Sequence, residues 1–380
     1  MAGIYIHIPF CKQACNYCNF HFSTQTDYIE KMVQAIIIEI ELQNNFFQKE
    51  TTIQSIYFGG GTPSFIDINH ILKILEKIYN TFTVTPKAEI TIECNPDDLT
   101  EEYLTQLKQY TPINRLSIGI QSFFDEDLKF MHRAHNASEG KTAIQLAQKI
   151  GFNNITCDLI YGTPTLSNEQ WKENILYLIN HNIQHFSCYA ITVEEKTILH
   201  HQIQKNIISE IDEQKIAEQF SILQDVCATH GYEQYEISNF CTNKQYAIHN
   251  TNYWKGSKYL GLGPSAHSFD GKNRYWNINN NALYIKQINH HQLAQSCETL
   301  SNIDMYNEYI MTKLRTIWGV DTNHIDKQFG NEFKKHFEFE IKSFIDNSWV
   351  VQNQNIYTLT NNGRLFCDYI TENLFWVESE

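Results

Sequence analysis

Short apolar runs alternate with longer stretches of helical periodicity along the first 240 residues of the chain. In residues 27–47, for example, apolar side chains recur every three or four positions, as they do on the buried face of a helix. The apolar runs predict strands at residues 4–8, 53–58, 89–92, 115–120, 155–157, 185–188 and 235–237. The periodic stretches predict helices at residues 27–47, 71–79, 101–110, 138–150, 170–180 and 210–230.

This alternation predicts a parallel sheet whose strands are joined by right-handed helical crossovers. Roughly six strand–helix units are visible, which is fewer than the eight of a closed barrel. We therefore expect an α/β fold in which residues 1–240 form an open partial (β/α) barrel similar to part of a TIM barrel.

The pattern changes after residue 300. Residues 303–317 and 325–345 have helical periodicity, and residues 349–351 and 356–359 flank a polar turn, which is typical of a hairpin. Thr360 then caps a final helix. We expect three parts: a barrel over residues 1–240, a connecting segment over residues 241–300 and a small, mainly helical domain over residues 301–380.

Composition and charge narrow the classes of partner. Hydrophobic residues make up 42% of the chain, so a full core is expected, and the net charge of −14 disfavours nucleic acid, which binds basic surfaces. No apolar run reaches the roughly 18 residues of a membrane span, so stable membrane insertion is not expected. The first residues lead directly into a strand rather than a secretion signal. With ten cysteines in such a chain, we expect reduced thiols and a cytoplasmic location.

Unusual polar and small residues stand where the predicted strands end. Cys11 follows the first strand, and the glycine run Gly59–Gly61, Glu93, Gln121 and Asp158 follow the next four. The carboxyl ends of parallel strands meet at one edge of a sheet, where α/β folds build their sites. We therefore expect these side chains to converge on one rim.

The cysteines Cys11, Cys15 and Cys18 are spaced C-x3-C-x2-C on the loop after the first strand. Three soft thiolates this close suit an iron–sulfur cluster or zinc. Three cysteines would leave one iron of a four-iron cluster open to a small molecule. The alternative is a zinc knuckle with His21 as its fourth ligand, although zinc sites more often pair two C-x2-C units. The other seven cysteines show no second cluster spacing and are expected to be buried.

Each of the other rim residues also has a simpler interpretation. The glycine run lets backbone approach a ligand closely and offers unpaired N–H groups, or it forms an ordinary turn. Glu93 is either a ligand-binding carboxylate or a solvated acid. Arg133, in the sequence HRAH, either binds a carboxylate through two hydrogen bonds or lies on the surface.

A series of motifs occurs in the order YIHIPFC, CxYCxF, GGGTPS, IECNP, GIQSF, HRAH and DLIYGTP. Together they resemble the radical S-adenosylmethionine (SAM) superfamily, in the branch of oxygen-independent coproporphyrinogen III oxidase, over nearly the whole chain. The resemblance implies a [4Fe-4S] cluster on Cys11, Cys15 and Cys18, and a C-terminal domain similar to a winged helix. The SAM contacts that it implies are Tyr5, Gly60, Gly61, Thr62, Glu93, Gln121, Arg133 and Asp158.

Two departures distinguish this chain from the oxidases. Their cysteine motif continues to C-x3-C-x2-C-x-C, where this chain has Phe20, and they carry a longer segment ahead of the motif than the ten residues found here. Both departures resemble the HemW group of haem chaperones, as does the motif HNxxYW. The resemblance implies haem contacts at His249, Asn250, Tyr253 and Trp254, with His249 as an axial ligand. The alternative for His249 is a hydrogen-bonded core histidine.

The function that this resemblance implies is that of a haem chaperone, which binds haem and passes it to an apo-protein. An external electron donor would reduce the cluster for cleavage of SAM, and no catalytic side chain is assigned. One alternative is a true oxidase, which decarboxylates two propionates of coproporphyrinogen III. Another is a zinc-stabilised structural protein. Phe20 argues against the oxidase.

Overall fold

A computed structural model describes residues 1–377 of the chain. The strands are β1 (Ala2–Ile8), β2 (Ile53–Gly60), β3 (Val84–Cys94), β4 (Arg115–Gln121), β5 (Asn154–Tyr161), β6 (His185–Ala190), β7 (Glu233–Glu236), β8 (Asn239–Cys241), β9 (Lys258–Leu262), β10 (His267–Phe269), β11 (Asn273–Asn277), β12 (Gln295–Thr299), β13 (Val320–Asp321), β14 (Val350–Asn353) and β15 (Ile356–Leu359).

Helices connect most of these strands. They are α1 (Ile29–Leu42), α2 (Ile68–Thr81), α3 (Glu101–Tyr110), α4 (Asp125–Phe130), α5 (Ala137–Ile150), α6 (Asn168–Asn180), α7 (Ile198–Gln204), α8 (Glu213–Thr229), α9 (Ile248–Trp254), α10 (Asn281–Asn289), α11 (Asn302–Leu314), α12 (Thr322–Gln328), α13 (Asn331–Glu340), α14 (Lys342–Asp346), α15 (Asn361–Leu365) and α16 (Cys367–Asn373). None of them, within residues 1–377, has the length and apolar character needed to cross a membrane.

Twelve strands form one sheet in the order β12-β11-β10-β9-β1-β2-β3-β4-β5-β6-β8-β7. The run from β9 through β1 to β6 is parallel, and antiparallel strands extend it at both ends. The order is linear, so the sheet does not close on itself within the described part of the chain. The predicted open partial barrel is thereby confirmed.

Helix ends follow local capping chemistry. At the start of α5, the Asn136 side chain accepts from the Glu139 N–H (3.0 Å), and the Glu139 carboxylate accepts from the Asn136 N–H (2.8 Å). This pair satisfies N–H groups that the first helical turn would otherwise leave free. Gly151, at φ +99°, ends the same helix in the left-handed conformation that favours glycine.

Residues 241–300, which we expected to connect two domains, are part of the barrel sheet. β9 pairs in parallel with β1, and β10 to β12 continue the sheet beyond it. Leu260, Leu262 and Tyr284 are fully buried and lie in the same core as the barrel helices.

The C-terminal domain has its own core, which includes Tyr306, Phe337 and Ile370. The predicted hairpin is present as β14 and β15, and the short strand β13 extends it to a three-stranded sheet in the order β13-β15-β14. The helical stretch expected over residues 325–345 is divided into α12, α13 and α14, and Gly330, at φ +107°, separates the first two.

The Glu39 side chain connects helix α1 to the segment that contains β9 to β12. This fully buried carboxylate on α1 accepts from the Gly263 N–H (2.7 Å), the Asn277 side chain (2.6 Å) and the Tyr284 hydroxyl (2.6 Å). Burial raises the pKa of Glu39 from 4.5 to about 7, although the three donors favour its anion.

The raised pKa makes stability depend on pH. The unfolded chain ionises Glu39 near pH 4.5 and the folded chain only near pH 7. The contribution of this group to stability is therefore full below about pH 4.5 and is lost as pH rises to about 7. Between pH 4.5 and 7, the free energy of unfolding should fall by about 3 kcal/mol less in Glu39→Gln than in the wild type. Chemical denaturation at several pH values measures this difference.

The control for this experiment is Glu41→Gln, which changes an exposed carboxylate on the same helix. It should leave the pH dependence of the free energy of unfolding close to that of the wild type. A Glu39→Gln protein that keeps the wild-type pH dependence between pH 4.5 and 7 would contradict the assignment to Glu39.

Candidate functional site

The cysteine loop, residues 9–23, leaves the carboxyl end of β1 and folds back on itself. The N–H of Cys11 donates to Ser23 O (3.1 Å), and the N–H of Ser23 donates to Pro9 O (2.9 Å). Its three cysteines are half-buried free thiols. The loop thus holds the thiols at the rim where the parallel strands end.

Neighbouring elements hold the tip of this loop. The Asn16 N–H donates to Met131 O (3.2 Å), and the Asn16 carbonyl accepts from the Leu199 N–H (2.9 Å). The Arg133 guanidinium donates to the Cys15 sulfur across 3.4 Å. Contacts from α4, α7 and Arg133 therefore limit how far the thiols can move.

The three thiols interact electrostatically. Burial raises the pKa of Cys11 to about 11; the Thr62 hydroxyl, 3.5 Å from its sulfur, lowers it, and Cys18 and Cys15 raise it. Burial also raises the pKa of Cys18. The Cys11 and Cys18 thiols are therefore protonated near neutral pH, and a metal must displace their protons.

The spacing of the thiols bears on the kind of metal group. Among residues 1–377, no set of three or more His, Cys, Asp or Glu side chains is arranged around a single metal ion. Iron–sulfur clusters are held by cysteine thiolates. A set of three soft thiolates on one loop fits such a cluster.

The glycine turn at the end of β2 packs tightly against this region. Gly60 has φ +109°, and a Cβ there would lie 2.7 Å from the His7 imidazole. A Cβ on Gly61 would lie 2.6 Å from Phe10 O. The N–H groups of Gly61 and Thr62 donate to carbonyls of β1 and the cysteine loop (2.8 and 2.7 Å). The expectation of unpaired N–H groups is therefore wrong at these two positions, because they join the turn to the chain that leads into the cysteines.

Two carboxylates lie inside the rim. Glu93 accepts from the Tyr57 hydroxyl (2.8 Å) and from the Gly60 N–H (3.2 Å), and Asp158 accepts from the Ser117 hydroxyl (3.2 Å). Burial raises the pKa of Glu93 to about 7 and that of Asp158 to about 6, and the charge of Asp158 raises that of Glu93 further. Glu93 is therefore not the solvated acid that was the alternative.

The polar side chains of the next strand ends form a connected group. Arg133 donates to Asn95 Oδ1 (2.7 Å) and Gly119 O (2.8 Å), and the Asn95 amide donates to the Thr62 hydroxyl (3.2 Å). Gln121 adopts φ +63° beside them, an unusual conformation for a residue with a Cβ. Sequence reasoning missed Asn95, although its place in IECNP, two residues after Glu93, identifies it as another strand-end side chain.

Two buried atoms of this group have no partner within the described chain: the acceptor Gln121 Oε1 and the donor Arg133 Nε. Buried polar atoms are almost always hydrogen-bonded, so unpaired ones commonly mark a ligand or water site. SAM carries ammonium, carboxylate and ribose hydroxyl groups, so it offers both donors and acceptors. The rim residues therefore fit this cofactor.

Tyr5 lies in the barrel interior just below the rim. Its hydroxyl is 3.2 Å from His7 Nδ1, and its ring stacks on Tyr57 with centroids 6.1 Å apart. Burial raises the pKa of Tyr5 well above its usual value. The side chain therefore stays neutral and presents an aromatic face beneath the carboxylates.

The histidine of HNxxYW is inside the protein. His249 is 3% exposed, with Nδ1 2.8 Å from the Ser55 hydroxyl and Nε2 3.0 Å from the Tyr253 hydroxyl. Burial lowers the pKa of His249 to about 3, so the ring is neutral. Both ring nitrogens are thus occupied, which matches the core histidine that was the alternative to an open axial ligand.

The other residues of this motif are half-buried, and the last one contacts the C-terminal domain. Lys313 donates to Trp254 O (2.9 Å), and the Arg315 guanidinium lies 5.5 Å from the centroid of the Trp254 ring. Asn250 and Tyr253 also keep partial exposure. The motif therefore spans from the barrel interior to the domain boundary.

Six of the seven cysteines outside the loop are buried, as expected. Cys297, on β12, is exposed, and the expectation is wrong for this residue. β12 is the edge strand of the sheet, and its last four residues, Cys297 among them, are all exposed.

The crowding at Gly60 predicts a specific effect on stability. Gly60→Ala and Gly151→Ala both place a Cβ at a positive φ, but only the first meets a neighbour within 4 Å. Gly60→Ala should therefore lower the free energy of unfolding by about 1–3 kcal/mol more than Gly151→Ala, as measured by denaturant titration. Equal losses in the two variants would show that the turn is not closely packed on His7.

Comparison with known proteins agrees with this geometry. Residues 5–178 match the Radical SAM superfamily, and residues 300–366 match the HemN C-terminal domain. In its fold the chain is similar to coproporphyrinogen III oxidase (HemN) from Escherichia coli, described as a radical SAM enzyme. The TM-score is 0.81, with 21% identity over 98% of this chain and 90% of that one.

Several proteins match this chain over nearly the full length of both sequences. Heme chaperone HemW of Bacillus subtilis (strain 168) is 29% identical over 96% of this chain and 97% of its own. Heme chaperone HemW of Lactococcus lactis is 28% identical over 94% of this chain and 93% of its own. The mitochondrial radical S-adenosyl methionine domain-containing protein 1 of Dictyostelium discoideum is 29% identical over 97% and 93%. The cysteine loop, the strand-end rim and these matches identify a radical SAM domain in residues 5–178 of the chain and a HemN C-terminal domain in residues 300–366.

Proposed function

We propose that this protein is a haem chaperone that binds haem and passes it to an acceptor apo-protein. The observation that carries the proposal is the match, over nearly the full length of both chains, to relatives named Heme chaperone HemW. A [4Fe-4S] cluster and SAM would be its resident groups, as the superfamily match supports.

The cluster would be held by Cys11, Cys15 and Cys18. When reduced by an external donor, such a cluster supplies the electron that cleaves SAM reductively. The chain's own part is to set the environment of the sulfurs: the Thr62 hydroxyl and the Arg133 guanidinium both donate to them. Hydrogen bonds to sulfur stabilise the thiolate and tune the potential of a cluster.

The SAM contacts of this proposal are those at the rim and just below it. They are Tyr5, Gly60, Gly61, Thr62, Glu93, Gln121, Arg133 and Asp158. The unpaired Gln121 Oε1 and Arg133 Nε support it, because a ligand with donors and acceptors would satisfy both atoms. The half-buried carboxylates of Glu93 and Asp158 would bind ammonium or hydroxyl groups more strongly than fully solvated ones.

The alternative is a coproporphyrinogen III oxidase. Phe20 disfavours it, since it stands where the resemblance places the fourth cysteine of the oxidases, and its phenyl ring, 68% exposed, cannot bind iron. The similarity to the E. coli oxidase, at 21% identity, concerns the fold alone.

Haem contact at the HNxxYW segment remains part of the proposal for Asn250, Tyr253 and Trp254. Iron ligation by His249 would require its ring to leave Ser55 or Tyr253. Because these two bonds are buried, giving one up without a replacement is unfavourable. We therefore assign His249 a structural role and place no axial ligand there.

Anaerobic reconstitution tests the cluster. The wild type should bind about four iron and four sulfide per chain. Cys15→Ala should lose the cluster, because the structure offers no neighbouring thiol to replace it. Cys297→Ala, which removes an exposed thiol from the far edge strand, should keep the full content. A complete cluster in Cys15→Ala would contradict the assignment of the loop.

A paired assay separates the chaperone from the oxidase. With cluster, SAM and reductant present, the protein should not convert coproporphyrinogen III, and it should bind haem stoichiometrically in a spectroscopic titration. Because His249 is not a ligand in this account, His249→Ala should keep the wild-type Soret maximum. Rapid decarboxylation of coproporphyrinogen III by the wild type would support the oxidase instead. A shifted Soret maximum in His249→Ala would show that His249 is an axial haem ligand.

A further inference from the structure

Three aromatic rings pack against one another in the barrel interior beneath the rim. Tyr57 of β2 is stacked on Tyr5 of β1 (6.1 Å between centroids, 24° between planes) and on His249 of α9 (5.0 Å, 28°), and the Tyr5 and His249 centroids are 6.4 Å apart. The other face of α9, including Ile248 and Thr251, borders an open groove of about 720 Å³ at the amino ends of the strands. The helix therefore closes the barrel from the end opposite the cysteines.

The chain builds a fitted slot for the His249 ring. Besides the ring's bonds to Ser55 and Tyr253, the backbone N–H of His249 donates to the buried Glu89 carboxylate of β3 (3.0 Å). Gly3 of β1 leaves room for the imidazole, since a Cβ there would come within 3.2 Å of it. The ring is thus held from β1, β2 and its own helix, while β3 holds its backbone.

Tyr57 connects this ring to the rim. Its hydroxyl donates to Glu93 Oε1 (2.8 Å), while the Gly60 N–H donates to Oε2 (3.2 Å), so the two donors fix the plane of the carboxylate. Besides Tyr57, the titratable groups that interact electrostatically with Glu93 are Asp158 of β5, Tyr5 of β1, Tyr189 of β6, Tyr253 of α9, Cys94 of β3 and Cys18 of the cysteine loop.

We propose that Tyr57 and His249 are positioning residues for SAM: the imidazole supports the Tyr57 ring, and the Tyr57 hydroxyl orients the Glu93 carboxylate toward the cofactor. The inference rests on the proposed function, since it takes Glu93 as a SAM contact. It gives the histidine of HNxxYW a task at the cofactor site in place of iron ligation.

The test is calorimetric titration of SAM into the anaerobically reconstituted protein, at equal iron content and after a check of folding by thermal melting. Tyr57→Phe keeps the ring and removes the hydroxyl, and it should weaken SAM binding about tenfold. In a Glu93→Ala background, which removes the acceptor of the Tyr57 hydroxyl, the same change should alter affinity less than about twofold, because the pair no longer exists. Tyr246→Phe is the control, because it removes a tyrosine–glutamate hydrogen bond far from the rim (Tyr246 to Glu233, 2.6 Å).

Two further readouts separate positioning from general stability. Loss of the Tyr57 donor raises the pKa of Glu93, so the pH of half-maximal SAM affinity should move upward in Tyr57→Phe. His249→Ala should weaken SAM binding, and His249→Phe, which keeps a ring under Tyr57, should recover most of the loss.

The outcomes distinguish the inference from the proposed function. Unchanged SAM affinity in Tyr57→Phe, together with weakened binding in Glu93→Ala, overturns the inference and leaves the SAM site in place. Equal losses from Tyr57→Phe with and without Glu93→Ala also overturn it. A fully loaded wild type that does not bind SAM overturns both.

Discussion

The structure depends on how closely two strand ends approach each other. The turn after β2 lies directly against the end of β1, and a single Cβ on Gly61 would come within 2.6 Å of Phe10 O. The N–H groups of Gly61 and Thr62 bind the carbonyls of Ile8 and Phe10. This contact fixes the cysteine loop relative to the glutamate and aspartate of the rim. A larger residue at Gly61 would separate the thiols from the polar side chains with which they must act.

Much of this arrangement could be predicted from the sequence, because strand order determines it. Parallel strands place their carboxyl ends on one edge, so Glu93, Gln121 and Asp158 had to lie near the cysteine loop. Local chemistry also placed helices accurately, as for Glu101–Tyr110, whose observed bounds equal the predicted ones. Such features need only neighbouring residues or a regular topology.

Other features depend on partners far away in the chain and could not be read locally. The strands β9 to β12 are short, and β9 is recognisable only through its pairing with β1. Tyr57 reads as one more residue of an apolar run until the register places it beside Tyr5. His249 had two interpretations that the sequence could not separate, because the choice depends on Ser55, which lies 194 positions earlier.

The two ends of the barrel therefore have different chemistry in this account. The carboxyl end holds the cysteine thiols, two carboxylates with raised pKa values and polar atoms without hydrogen-bond partners. At the amino end, α9 closes the barrel with the neutral imidazole of His249, whose two ring nitrogens are both hydrogen-bonded. The HNxxYW segment also contacts the C-terminal domain, because Lys313 donates to the carbonyl of Trp254. One short helix, α9, therefore contacts both the aromatic rings beneath the rim and the C-terminal domain.

The central claim is that the rim brings a cluster with an open iron and SAM into contact. Electron paramagnetic resonance of the anaerobically reduced protein, recorded with and without SAM, tests it most directly. We predict the spectrum of a reduced [4Fe-4S] cluster whose g values shift when SAM is added, because the cofactor binds at the open iron. A cluster spectrum that SAM does not change, or no cluster spectrum in the reconstituted protein, would contradict the account.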